Sequence, residues 1–277
     1  MNRVLIIGGF ESLRLELMRR SAAHDYEVEC CEDSVIALRR TRERAFDVAV
    51  TDPATSMAAD VALAAAIRSR RPETKVIALA RFVGPDDVIA ALRANVFACF
   101  AAPFDTPEIA DMVDTARSAQ DWHDGIQVTS GLRNWLTLKL SPRLLTAERV
   151  VRFMTEMQSS LEDHERDQLI MAFREMLLNA MEHGAGLETE KTIEVTAART
   201  ARTIVYHFRD PGAGFDRTNI PHAAASTGPD DILASTLLRA ELGLRAGGLG
   251  LLIAHAIVDE IAYNECGNEV LLIKHLD

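Results

Sequence analysis

R-E-M-L-L-N-A-M-E-H-G (174–184) is the stretch that decides how the C-terminal half of this 277-residue chain is read. Phe173, Met176, Leu177 and Ala180 recur at helical spacing, so the segment is predicted to be an amphipathic helix with these residues buried. Glu175, Asn179 and His183 fall at i, i+4 and i+8 and are expected to project together from another face. An asparagine amide oxygen can coordinate Mg²⁺ while the metal holds phosphate oxygens. A carboxylate one turn earlier can polarise a hydroxyl or a water. Taken alone, the same spacing also suits the solvated face of any amphipathic helix.

Two segments downstream extend this reading. D-P-G-A-G-F-D (210–216) follows directly on a strand-like run, placing the Asp210 carboxylate at a sheet edge. Gly212 and Gly214 permit close approach of a ligand to the backbone. A carboxylate there can accept from the exocyclic amine of a purine, although a plain tight turn has the same composition. R-A-G-G-L-G-L-L-I-A-H-A-I-V-D-E (245–260) runs from glycines into an apolar helix. Free amides at such a helix start form an anion site.

Working outward, W-L-T-L-K-L (135–140) alternates as a half-buried strand does. Helices are predicted at 144–160 and 165–182, strands at 192–198 and 203–210, a helix at 249–259 and strands at 260–264 and 269–274. The short turns T-A-R and C-G-N indicate antiparallel hairpins. This half is expected to be α+β, a mixed sheet with helices on one face. The first half has a different grammar. Strand-like runs at 3–7, 26–30, 47–52, 75–80 and 96–100 alternate with helical segments, the last at 105–121. Five such units predict an α/β doubly wound fold, a parallel sheet covered on both faces. The polar stretch S-A-Q-D-W-H-D-G-I-Q-V-T-S-G (118–131) lacks a period. The chain is therefore expected to form one domain over 1–121, a linker over 122–132 and a second domain over 133–277.

The order of the three C-terminal segments, each on its predicted element, resembles the ATPase fold shared by gyrase, the mismatch-repair ATPase and the histidine kinases. Within that superfamily the likeness is to the bacterial anti-sigma-factor serine kinases. It is carried by E-M-L-L-N-A-M-E-H-G, by L-R-A-G-G-L-G-L-L-I-A-H-A-I-V-D-E, by the leading strand N-W-L-T-L-K-L-S-P and by the ending N-E-V-L-L-I-K. The resemblance implies ATP and Mg²⁺ as cofactors, Glu175 as general base and Asn179 as the Mg²⁺ ligand. It implies that Asp210 reads adenine, that Gly212, Gly214, Gly248, Leu249 and Gly250 shape the pocket, and that His183 belongs to it. The stretch 215–246 would be a lid. The activity implied is a protein serine/threonine kinase that phosphorylates an antagonist protein and holds a sigma factor or an equivalent partner. The alternative is an ATP-gated protein-binding module without phosphotransfer. A histidine-kinase reading needs a phospho-accepting histidine on a separate helical hairpin. His164 lies on or just before the helix that carries Asn179, so it does not supply one.

D-V-A-V-T-D-P (47–53) and A-P-F-D (102–105), with the element order around them, resemble the response-regulator receiver domain. Asp52 stands where that family has its phospho-accepting aspartate. Gly8 and Gly9 replace the acidic pair that holds magnesium, Ala80 the hydroxyl residue and Ala102 the lysine. The resemblance implies a degenerate receiver used for docking, regulation or dimerisation, and a homodimer is expected.

Composition narrows the partners. The net charge is −11 and aromatics are 5%. Neither half is basic, so neither offers the positive face that nucleic acids require, and stacking platforms are scarce. No apolar run is long enough to span a membrane. Cys30, Cys31, Cys99 and Cys266 show no C-x-x-C spacing, and are expected to be reduced thiols of a cytoplasmic protein.

Overall fold

The computed structural model describes residues 2–120, 122, 123, 125–214 and 250–276. The chain divides into two compact units, one formed by Met1–Asp124 with Arg152–Ser159, the other by Gly125–Val151 with Ser160–Asp277.

The first unit runs β1 (Asn2–Ile7), α1 (Glu11–His24), β2 (Tyr26–Cys31), α2 (Ser34–Glu43), β3 (Val48–Val50), α3 (Met57–Arg68), β4 (Lys75–Ala80), α4 (Pro85–Arg93), β5 (Ala98–Ala101) and α5 (Thr106–Ser118). Its five strands pair in the order β2-β1-β3-β4-β5, all parallel. Every residue of β3 and β4 is buried, as a strand covered on both faces requires. Asp33 and Asp105 start α2 and α5 by accepting from the N–H groups of Ile36 (2.8 Å) and Glu108 (3.1 Å). The doubly wound fold expected from the sequence is present. β3 is shorter than expected, which leaves Asp52 in the turn at the carboxyl edge of the sheet.

The second unit contains β6 (Ile126–Leu132), β7 (Trp135–Leu140), α6 (Leu144–Met157) as far as Val151, α7 (Asp163–Asn179), a π-helical turn (Ala180–Gly184), β8 (Ile193–Arg199), β9 (Thr203–Arg209), α8 (Gly250–Ile257), β10 (Glu260–Tyr263) and β11 (Glu269–His275). Its strand order is β10-β11-β9-β8-β7-β6. Two expectations are corrected here. Residues 126–132, assigned to the linker, form β6, which pairs with β7 from Ile126↔Leu140 to Leu132↔Trp135. Its own alternation is blurred by Ser130 and Gly131, and the register shifts between Val128 and Ser130, so pairing with β7 and not local periodicity defines it. The sheet is also antiparallel at every described pairing rather than mixed. Two helices separate β7 from β8, an even number of passes that returns the chain in the opposite sense.

The core of this unit follows the pleat. Leu136, Leu138 and Leu140 on β7, Ile193 and Val195 on β8, and Ile204, Tyr206 and Phe208 on β9 are buried on one face. Phe173 of α7 packs on them, its ring centroid 4.8 Å from Tyr206 and 5.2 Å from Phe208. The other face carries polar pairs: Thr137 meets Thr196 at 3.1 Å, and His207 meets Glu269 at 3.2 Å. This one-sided burial fixes which residues of α7 face the sheet and which remain free for a site.

Candidate functional site

At the carboxyl edge of the parallel sheet, Asp52 accepts from the Ala54 N–H through Oδ1 (2.9 Å). Its carboxylate lies against Gly8, which has φ +82°; a Cβ there would sit 2.5 and 2.7 Å from its two oxygens. The space beside Gly9 is open. Ala80 is buried. Thr51 accepts from Leu79 N–H (2.9 Å), and Thr55 bonds the Asp52 carbonyl (2.7 Å) and Asp60 (2.6 Å). Among the described residues, no cluster of three His, Cys, Asp or Glu side chains is placed to hold a metal ion. The Asp52 carboxylate is thus packed on backbone and held by it.

In the second unit, α7 presents Glu175 and Asn179, both half-buried, while Met176 and Leu177 point into the core. Among the described residues the Asn179 side chain has no hydrogen-bond partner. Glu175 is paired with Arg174 at 3.5 Å. After Asn179 the helix widens into the π turn, closed by Ala185 N–H donating to Ala180 O (2.9 Å). His183 lies in that turn and is exposed. The expected one-face alignment therefore holds for Glu175 and Asn179 but stops before His183, because a π turn does not keep the α-helical rotation per residue.

The π turn ends on Gly184, and its lack of a side chain is structural. A Cβ on Gly184 would collide with the Asp210 carboxylate, and one on Gly212 would lie 2.7 Å from the Gly184 carbonyl oxygen. The asparagine segment and the D-P-G-A-G segment are thus in van der Waals contact. Asp210 accepts from Gly212 N–H through Oδ1 (2.8 Å). Partial burial raises the pKa of its carboxyl, and the Gly212 N–H partly offsets this. Gly214 has φ +78°, and a Cβ on it would overlap the Cys266 carbonyl.

The loop between β10 and β11 completes this wall. Asn268 O accepts from Asp210 N–H (3.0 Å), and Asn268 Nδ2 reaches the carbonyls of Asp210 (3.3 Å) and Gly212 (3.4 Å). Asn264 Oδ1 accepts from the N–H groups of Gly267, Asn268 and Glu269. The third segment arrives from α8. Gly250 opens that helix directly against Glu175, and a Cβ on Gly250 would lie 2.6 Å from Glu175 Oε2. Gly248, Leu249 and the stretch 215–246 lie outside the described residues. All three sequence segments converge around α7.

Residues 140–274 match the family described as the histidine kinase-like ATPase domain. The C-terminal half is a histidine kinase-like ATPase domain. Among solved structures, the chain is similar to a response regulator from Thermotoga maritima, with 19% identity over 43% of this chain and 99% of that one (TM-score 0.38). It is also similar to the chemotaxis protein CheY4 of Vibrio cholerae (20%, 42% and 98%, TM-score 0.36) and to the HemR receiver domain of Leptospira biflexa (21%, 43% and 97%, TM-score 0.38). No curated protein matches. Among the described residues no helix is long and apolar enough to cross a membrane.

Among the described residues, the ATPase domain therefore offers a half-buried carboxylate with one committed oxygen (Asp210), an amide without a hydrogen-bond partner (Asn179), a second carboxylate (Glu175) and a helix start without a side chain (Gly250). Sequence reasoning missed the roles of Gly184, Asn264 and Asn268. Gly184 stood inside the quoted motif, but nothing local shows what it touches. The asparagines open and close the N-E-C-G-N stretch (264–268), and their partners lie up to 58 residues away.

Proposed function

We propose that this protein binds Mg-ATP in its C-terminal domain and phosphorylates a serine or threonine of an antagonist protein in a bacterial partner-switching pathway. The observation that carries this reading is the meeting of Glu175 and the start of α8, with Gly250 in contact with the Glu175 side chain. That contact puts a proton acceptor beside a set of backbone amides suited to phosphate. The donor set fits the nucleotide. Asp210 has one oxygen bound to Gly212 N–H and, among the described residues, no hydrogen bond on the other, which suits a purine amine. The bare glycine positions at 212 and 214 leave no side chain between that carboxylate and a ligand. Asn179 supplies a neutral oxygen for Mg²⁺.

Bound Mg-ATP supplies the phosphoryl group and the charge that neutralises it. Glu175 then accepts the proton of the substrate hydroxyl, and Asp210 orients the base. The α8 amides hold phosphate oxygens in place. The antagonist and a sigma factor, or an equivalent partner, compete for one surface of this domain, so phosphorylation of the first changes the fate of the second. The receiver-like unit regulates or dimerises the kinase, and the whole acts in the cytoplasm. The Arg174–Glu175 ion pair favours a second reading, an ATP-gated binding module in which Glu175 is not free to act as a base.

Labelled Mg-ATP incubated with the full chain and candidate antagonist proteins separates the two. Serine or threonine labelling that is lost in Glu175→Gln, with nucleotide affinity kept, supports the kinase. Nucleotide binding without label on any antagonist supports the module.

A further inference from the structure

We propose that Asn268 is a positioning residue for purine selection, pinning the Asp210–Gly214 loop through its side-chain amide, with Asn264 holding it in the one orientation that can do so. The inference rests on the nucleotide-site reading above and extends it to specificity.

The orientation follows from donors and acceptors alone. Asn264 Oδ1 lies 2.8 Å from Gly267 N, 3.1 Å from Asn268 N and 3.2 Å from Glu269 N. Three N–H groups need an acceptor, and only the amide oxygen is one, so Asn264 has a single acceptable flip. Its Nδ2 therefore points at Asn268 and donates to Oδ1 at 2.8 Å. That fixes the flip of Asn268 in turn. Asn268 Nδ2 is then the atom that faces the carbonyls of Asp210 and Gly212, at 3.3 and 3.4 Å. The main chain adds Asp210 N–H to Asn268 O at 3.0 Å, and Gly212 N–H closes onto Asp210 Oδ1 at 2.8 Å. Asp210 is thereby held at its N–H, its carbonyl and one carboxylate oxygen.

The functional consequence is discrimination. An adenine amine donates to the remaining Asp210 oxygen, whereas a guanine carbonyl in that place meets it oxygen to oxygen. Such a repulsion rejects the wrong base only if the carboxylate cannot turn away. Nothing in the carboxylate itself prevents that rotation. The two-asparagine clamp does, by removing the freedom of the loop that carries it.

The test is calorimetric titration of the full chain with Mg-ADP and Mg-GDP. The wild-type protein is expected to prefer ADP. Asn268→Ala is expected to lower the ADP-to-GDP affinity ratio by at least about tenfold, as loss of the pinning hydrogen bonds implies. Most of that change should be in ADP, since GDP is held chiefly through its phosphates. Asn268→Asp keeps the acceptor for Asn264 but sets an oxygen against two carbonyls, so it should lose the preference at least as fully. Should Asn268→Ala not fold, Asn264→Asp reads the same ratio, because it keeps an oxygen for the three N–H groups and loses only the donor to Asn268. Variants that weaken both nucleotides alike, or retain the wild-type ratio, overturn this inference alone. A wild-type protein that takes neither nucleotide overturns the nucleotide-site reading and this inference with it.

Discussion

Replacement of Asp60 by asparagine should remove a pH-dependent weakness of the first unit. Asp60 lies in the first turn of α3 and is 1% exposed. Its Oδ1 is 2.6 Å from Thr55 Oγ1, which is also 2.7 Å from the Asp52 carbonyl oxygen. A hydroxyl has one proton and the carbonyl can only accept. Thr55 therefore shares that proton between the carbonyl and Asp60, and satisfies the carboxylate only in part. Asp60 Oδ2 is buried and makes no hydrogen bond among the described residues, which suits a neutral acid better than an anion. Other charges nearby are turned elsewhere: Arg68 of α3 donates to Ala94 O, Asp87 of α4 caps Gly84 N–H, and Arg40 of α2 pairs with Glu29. Burial pushes the Asp60 carboxyl up to about 6 from 3.8; the hydroxyls of Thr55 and Thr51 oppose this and the Asp52 charge adds to it.

The folded protein thus binds this proton more tightly than the unfolded chain does. The associated stability is complete below about pH 4 and is lost as pH rises through about 6. A shift of about two units corresponds to roughly 3 kcal/mol. Asparagine cannot ionise, so the stability of Asp60→Asn relative to wild type should climb by up to about 3 kcal/mol between pH 4 and pH 7.5. Urea unfolding followed by Trp122 fluorescence in a Trp135→Phe background measures it. Trp122 is buried within the first unit, 5.5 Å from the Phe97 ring and 5.6 Å from the Arg68 guanidinium, and so reports that unit. A stability difference that stays flat across this range, or falls as pH rises, would refute the reasoning.

Two further outcomes follow from close packing. Gly184→Ala must push the π turn away from Asp210, at a cost of about 1–3 kcal/mol. It should also weaken Mg-ADP binding in a titration, while Glu182→Ala beside it leaves affinity unchanged. In the other unit, acetyl phosphate with magnesium should leave Asp52 unmodified, because its carboxylate is packed on Gly8 and no cation site adjoins it among the described residues. Intact-mass measurement checks this, and a stable phosphoryl adduct absent from Asp52→Asn would contradict it.

The two architectures were legible because each is written in local periodicity. Leu136, Leu138 and Leu140 alternate, Phe173, Met176 and Leu177 recur at helical spacing, and the buried runs of β3 and β4 are continuous. The positions of the candidate residues Glu175, Asn179 and Asp210 were legible for the same reason, since each sits at a defined place on a predictable element. What the sequence could not fix depends on partners distant along the chain. β6 exists because β7 pairs with it across an irregular register. The π turn that removes His183 from the face of Asn179 is set where Gly184 must meet Asp210, and the asparagine clamp joins residues 58 apart. The proton on Asp60 depends on burial that a sequence pattern does not measure. Local spacing carries the backbone's own preferences, whereas close contact, burial and hydrogen-bond direction arise only once distant segments are packed together.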